Sequence, residues 1–385
     1  MIDRFGQEEI ASVIQSIKNA SLLSGYTNKF LGGETLQKFE KDFARFHNCK
    51  YGISVNSGTS ALFVSQLAAG VKNNTKVAVP SITFTSTISQ VVACGGIPVF
   101  TDIDSESYCM DFDFKKKVKF AIPVHLLGHP CKFEMIKKMK ETGIFVIEDC
   151  AQAMGAKYKN KSVGSMGDCG IFSFQETKHI TTLGEGGIIV TNNEEFAEKC
   201  RRIRNHGEYY KDDDDIGFNF RLTDTQTAFG LVQLKRLPSI LKSFRKNANY
   251  IIKNLPEVII PPMIPKNIDH SFLILGCKYD KKKSIVSREK FLEKLTKNRK
   301  KFLKNEQVSD IKGLNFRPGK IISSGYKTTQ YDVPLYRKYR PKKKLQNAED
   351  FIQNSFFLDI HRWRTKSEID EELKILHRTS KQLSS

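Results

Sequence analysis

Three short stretches hold residues whose types suit chemistry. In "SFQETKHITTLGEGG", Ser173 to Gly187, Lys178 lies between the apolar runs "CGIFSF" and "GGIIV". A lysine partly withdrawn from water has a lowered pKa, and its neutral amine is a nucleophile toward aldehydes. Gly184, Gly186 and Gly187 let the backbone turn tightly or approach a ligand. In "VIEDCAQAMGA", Glu148 and Asp149 follow the apolar run "GIFVI". One carboxylate therefore emerges just past a buried strand, where it needs a cationic partner. In "NSGTSAL", Ser57, Gly58, Thr59 and Ser60 open an expected helix, whose free N–H groups and dipole suit a phosphate. Taken singly, each has a plain alternative: a loop lysine, a salt bridge, a helix cap.

Taken together they share one use. Pyridoxal phosphate needs a helix N-terminus for its phosphate, a carboxylate to keep its ring nitrogen protonated, and a lysine to form a Schiff base with its aldehyde.

The elements that must position these residues are legible around them. From Asn56 to about Val190, short β-rich runs ("KVAVP", "IPVFTDI", "KFAIPVH", "GIFVIED", "CGIFSF", "GGIIVT") alternate with helical patterns. That alternation predicts α/β units around a largely parallel sheet, with ligands gathered at the carboxyl edge of the strands. "NSGTSALFVSQLAAG" reads as a helix capped by Ser57 or Thr59 and stopped by Gly70; "TFTSTISQVVACGG" closes at Gly95. A helix ending at Gly207 leads into the acidic loop "KDDDDIG", and a long helical pattern then runs through Pro238, which should kink or divide it. The division falls near there: residues 1–240 as an N-terminal segment with a large α/β domain, residues 241–385 as a smaller α+β domain.

The bulk properties set wide limits. A chain of 385 residues with 39% hydrophobic content folds compactly, as one large core or two unequal domains. The eight cysteines are scattered without C-x-x-C or zinc-like spacing and read as reduced thiols of a cytoplasmic protein. No run suits a signal peptide or membrane span. The net charge of +20, concentrated beyond residue 245, would attract phosphates of any kind. Lysine-rich helix faces explain it as well, and no RRM or helix-turn-helix accompanies it, so nucleic acid is not expected. His125 and His129 have metal-like spacing in "HLLGH", but Gly128 and Pro130 make helical geometry improbable there, so a substrate-facing loop is expected and no metal.

The motifs "NSGTSAL", "VPSITFTSTISQVVACGGIPVFTDID", "PVHLLGHP", "VIEDCAQAMGA", "SFQETKHITTLGEGGIIVT", "RIRNHG" and "GFNFRLTDTQTAFG" occur in an order that resembles the DegT/DnrJ/EryC1/StrS family of sugar aminotransferases. The resemblance implies a fold-type I, aspartate aminotransferase-like homodimer with active sites at the subunit boundary. It implies that Lys178 forms the Schiff base, that Asp149 pairs with the pyridinium nitrogen, that Gln152 lies near the phenolic oxygen and that Phe84 stacks on the ring. Gly58, Thr59, Ser60 and Ser173 would hold the phosphate, with Asn219 reaching in from the partner subunit. His125, Glu185, Tyr331 and Tyr336 are the expected substrate contacts. The implied reaction moves an amino group from L-glutamate, through pyridoxamine phosphate, to a keto sugar on a nucleotide diphosphate, for amino-sugar and surface-glycan synthesis.

Leu127 stands where many relatives have an aromatic residue and Tyr336 where they have a histidine, which leaves the sugar open. Some relatives carry histidine in place of the lysine and act as dehydratases; here His179 follows Lys178, and the register from "SF" favours Lys178 as the functional residue. A non-catalytic binding or regulatory protein on the same fold is the remaining alternative.

Overall fold

The computed structural model describes residues 5–19, 23, 31–207, 216–302, 322–323, 326–358, 360 and 365–383. Residues 211–215 of the expected acidic loop lie outside them. Up to the first sheet-forming helix the order is α1 (Gln7–Asn19), α2 (Glu34–Phe46), β1 (Tyr51–Val55) and α3 (Gly58–Ala69). There follow β2 (Lys76–Pro80), α4 (Ser86–Ala93), β3 (Ile97–Ile103), β4 (Met110–Asp111), β5 (Phe120–Ala121), α5 (Phe133–Glu141) and β6 (Phe145–Asp149). Next come β7 (Lys157–Tyr158), β8 (Lys161–Ser162), β9 (Cys169–Ser173), β10 (Gly187–Thr191), α6 (Glu194–Arg204) and α7 (Asp224–Lys253). The remainder contains β11 (Ile259–Ile260), β12 (Ile268–Asp269), β13 (Leu275–Tyr279), α8 (Arg288–Phe302), β14 (Ile322–Ser323), α9 (Gln346–Asn354), β15 (Ser355–Leu358) and α10 (Lys366–Lys381).

The main sheet runs β1-β10-β9-β6-β5-β2-β3-β4. Its centre is parallel, from β9 through β6, β5 and β2 to β3, while β10, β1 and β4 add antiparallel edges. Alternate residues of the strands feed two cores. Val146, Phe172, Ile188 and Val190 pack with Phe39, Phe43, Leu237 and Phe244 of α2 and α7, whereas Ile147, Ile171 and Ile189 pack with Leu62, Ile88 and Cys200 of α3, α4 and α6. Strands covered on both faces read as continuous apolar runs, which is why they were visible in the sequence. The expected fold class holds: a large mixed sheet domain is joined to a smaller α+β domain, whose sheet β11-β13-β15-β14 is antiparallel.

Strand β1, "YGISV", precedes the expected start of the sheet at Asn56. Gly52 lets it lie against α2, because a Cβ there would meet the Glu40 carbonyl oxygen at 2.4 Å. Beside it, the fully buried Arg204 donates to Glu40 Oε1 at 2.6 Å and to the Ser54 carbonyl at 3.0 Å, and Ser54 donates to the same carboxylate from N–H and hydroxyl. That knot ties α2, β1 and α6 together. Pro238 does not divide α7, which runs unbroken through it. The expected boundary at residues 240 and 241 falls inside this helix.

Candidate active site

The register of the main sheet brings the three chemical stretches to one edge. Gly187 of β10 pairs with Val55 on one side and Ser173 on the other, and Asp149 of β6 pairs with Ile171 of β9. The chain therefore leaves β1, β6 and β9 at the same edge, into the α3 helix start, the "EDCAQ" turn and the Lys178 loop. Ser57 caps α3 by accepting from the Ser60 N–H at 3.0 Å, and Gly70 closes the helix in the left-handed region at φ 91°, as expected.

Lys178 lies half-buried on the connection between β9 and β10. The connection is held by its own bonds: Phe174 N–H to the Gly186 carbonyl, Glu176 N–H to the Gly184 carbonyl and the Thr181 hydroxyl to the Phe174 carbonyl. Among the described residues nothing hydrogen-bonds to the Lys178 Nζ or pairs with it within 4.0 Å. Burial pushes its pKa below the ordinary lysine range, against the opposing pull of Asp149 and Glu185. Glu185 is exposed on the same loop; desolvation and Glu176 raise its pKa, and Lys178 opposes them.

Asp149 ends β6 and is buried, only 4% exposed. Its Oδ2 accepts from the Thr87 hydroxyl at 2.9 Å and its Oδ1 from the Ala151 N–H at 3.1 Å. Burial raises its pKa, while those two donors and Lys178 oppose the rise. Lys178 is the cation that acts on this carboxylate, through the electrostatic field and without an ion pair within 4.0 Å. Phe84, at the entry to α4, is 55% exposed directly after the buried run Ser81–Thr83, an unusual state for a phenylalanine. Gln152 accepts from the Leu127 N–H at 2.9 Å and donates to the Tyr326 hydroxyl at 3.1 Å. Burial pushes the Tyr326 phenol up to about 12.

At the helix start, Gly58 touches Ser173: a Cβ on Gly58 would lie 2.8 Å from the serine Cβ. The first N–H groups of a helix have no internal partner, and Thr59 is exposed beside them. Ser60 differs from expectation, because its N–H goes to Ser57 and its hydroxyl to Asn56 Oδ1 at 2.6 Å, which leaves neither donor free for a phosphate. Asn219 is exposed, next to Phe220, whose carbonyl accepts from the Asn56 N–H.

Three expected substrate contacts are placed elsewhere. His125 is fully buried, with Nδ1 accepting from the Cys131 N–H at 2.9 Å and Nε2 on Glu148 at 2.8 Å, so neither nitrogen is left for a substrate. Tyr331 is fully buried against Phe100 with its hydroxyl on Glu349, and Tyr336 is buried with its hydroxyl on Thr85. Motif position and an expected substrate-facing loop marked them, but neither tells which way a side chain turns. His179 is also buried, with Nε2 on the Ser271 carbonyl at 3.0 Å and its ring against Phe244. That orientation separates it from Lys178 and gives no support to a histidine in the lysine's role.

Thr87 and Tyr326 were not anticipated. Thr87, in the first turn of α4, shares a hydrogen bond with Thr83, four residues earlier in the segment that enters the helix. Tyr326 carries no local signal. By residue type His125, Glu148 and Cys150 could hold a metal, their ligand atoms lying within 4.8 Å of one another. Yet both His125 nitrogens are in use, and the Glu148 oxygens accept from His125 and from the N–H groups of Gly164, Met166 and Gly167.

A half-buried lysine, a buried carboxylate, an exposed aromatic ring and a glycine-opened helix start at one sheet edge fit pyridoxal phosphate by the chemistry of their groups. The comparisons agree with that class of site. Residues 8–303 match the model of the DegT/DnrJ/EryC1/StrS aminotransferase family, and the chain belongs to this family. It is 36% identical over 255 residues to the GDP-perosamine synthase of Escherichia coli O157:H7, covering 63% of this chain and 69% of that one. It is 32% identical over 311 residues to the spore coat polysaccharide biosynthesis protein SpsC of Bacillus subtilis (strain 168), covering 75% and 78%. Among solved structures, an aminotransferase from Psychrobacter cryohalolentis superposes with a TM-score of 0.84 at 27% identity, over 99% of this chain and 98% of that one. The protein is a pyridoxal phosphate-dependent transaminase of fold type I.

Proposed function

We propose that this transaminase moves an amino group from L-glutamate to a keto sugar carried on a nucleotide diphosphate, in the synthesis of amino sugars for surface glycans. The observation that carries the reading is that Lys178, whose Nζ has no hydrogen-bond partner among the described residues, and the buried Asp149 lie on segments that leave the main sheet at one edge. The substrate class is supported by relatives whose names specify GDP-, dTDP- and UDP-linked sugars.

When bound, the cofactor supplies an aldehyde for an amine and a ring that takes up the electron pair left as the substrate carbon loses its proton. Lys178, whose pKa burial holds below the usual lysine range, would offer its amine as nucleophile and then carry the proton at the substrate carbon. Asp149 keeps a proton on the ring nitrogen, and the exposed face of Phe84 fixes the ring plane. Gln152 is oriented by Leu127 and Tyr326, which leaves one amide hydrogen to lie against the cofactor's phenolic oxygen. Gly58, Thr59 and Ser173 hold the phosphate. Glu185, exposed beside Lys178, faces the substrate.

The exposed Asn219 amide suits a homodimer in which it completes the partner's phosphate site. Residues 1–240 and 241–385 are the two domains of each subunit, with α7 spanning their junction. No helix among the described residues is long and apolar enough to cross a membrane, which is compatible with a cytoplasmic enzyme.

The test loads the enzyme with pyridoxamine phosphate and offers a panel of keto nucleotide sugars. Return of the pyridoxal form's visible spectrum with one of them supports the reading. If none restores it while glutamate still converts the pyridoxal form, the nucleotide-sugar assignment fails and transamination stands.

A further inference from the structure

We infer that His125 and Glu148 form a positioning pair that braces the Asp149 carboxylate; the inference rests on the cofactor reading proposed above. His125 grips two consecutive residues at the end of β6. Its backbone N–H donates to the Asp149 carbonyl at 3.0 Å, and its ring Nε2 donates to Glu148 Oε2 at 2.8 Å. The direction of that second bond is fixed by the first shell of the ring: the Cys131 N–H donates to Nδ1 at 2.9 Å, so the proton resides on Nε2. Val124 bridges Asp149 in parallel, and the Asp149 N–H donates to the Pro123 carbonyl, which completes the attachment of this strand end to residues 123–125.

Glu148 extends the brace to the other side of the strand. Consecutive residues of a strand point to opposite faces, so Glu148 cannot reach what Asp149 touches. Its side chain is fully buried and accepts from three backbone N–H groups, Gly164 at 3.1 Å, Met166 at 2.7 Å and Gly167 at 2.6 Å, besides His125. The approach is tight enough to exclude a side chain at Gly167, where a Cβ would lie 2.7 Å from the Val146 carbonyl oxygen. The segments 123–131 and 164–167 are thereby locked to β6 through one carboxylate and one imidazole. A buried network with every member satisfied holds a unique geometry, and losing one donor leaves the rest under-satisfied. Asp149 is the residue at the end of that lock, so its carboxylate is held in register with the ring it must meet.

The test compares His125→Leu, His125→Asn and His125→Gln in the full-length enzyme. The glutamine amide can reach Glu148, whereas asparagine is too short and leucine has no donor. Cofactor affinity by titration and the visible circular dichroism of bound pyridoxal phosphate, which reports a fixed ring plane, are the readouts. Leucine and asparagine should raise the dissociation constant about tenfold, the loss of one buried donor, and roughly halve the visible dichroism, while glutamine stays within about twofold of wild type. If leucine does not fold, the asparagine and glutamine pair decides. Wild-type affinity and dichroism in both leucine and asparagine variants would overturn the brace. A wild-type enzyme that gives no visible band with pyridoxal phosphate would instead overturn the cofactor reading, and the brace with it.

Discussion

The Thr87 hydroxyl donates to Asp149 Oδ2 across 2.9 Å, joining helix α4 to the end of β6. The same threonine stands one turn after Phe84, whose carbonyl accepts the Thr87 N–H at 3.1 Å. One residue therefore couples Phe84 to the Asp149 carboxylate. Thr87→Val keeps the shape and removes the bond to a buried carboxylate, worth about 1.5–3 kcal/mol. Cofactor dissociation should rise about tenfold or more, measured by visible titration, with the fold intact by circular dichroism.

Lys178 gives the cofactor-free protein a pH signature. Burial lowers its pKa below the ordinary value of 10.5, so between the lowered value and 10.5 the unfolded chain binds more protons than the folded one. The cost of burying the ammonium is present in full below that window and is relieved as pH rises through it. Lys178→Met should remove this alkaline gain, so that its melting temperature rises less with pH than that of the wild type. Asp149, with a raised pKa, acts with opposite sign and in the acid range, above its ordinary 3.8.

Glu40 and Arg204 predict a stability effect separate from catalysis. Their buried pair, 7% and 1% exposed at the side chains respectively, is shared with Ser54. Glu40→Ala removes the carboxylate that Arg204 and Ser54 share, and breaking a buried ion pair should cost about 3–5 kcal/mol, read as a lower urea midpoint. Loss of less than about 1 kcal/mol, the level of an exposed pair, would show the knot to be incidental.

The local parts of this molecule were legible in the sequence and the non-local parts were not. The α3 cap at Ser57 and stop at Gly70, the β2, β3, β9 and β10 runs, and the placement of Lys178 and Asp149 each depend on a few consecutive residues. His125, Tyr331 and Tyr336 were expected at the substrate from the loop and motifs that hold them; their burial depends on Glu148, Glu349 and Thr85, which the sequence does not align with them. Tyr326 meets Gln152 from 174 residues away. Pro238 was expected to kink or divide a helix that packing carries through it. Strand β1 escaped notice because its place in the sheet comes from β10, 132 residues on at the Val55–Gly187 pair.

The central claim is that Lys178, and not His179, holds the cofactor. The most direct measurement is the visible absorption of purified Lys178→Ala and His179→Ala enzymes titrated with pyridoxal phosphate. The band of the lysine-bound cofactor should be lost in Lys178→Ala and kept in His179→Ala. A band that persists without Lys178 and disappears without His179 would contradict the account.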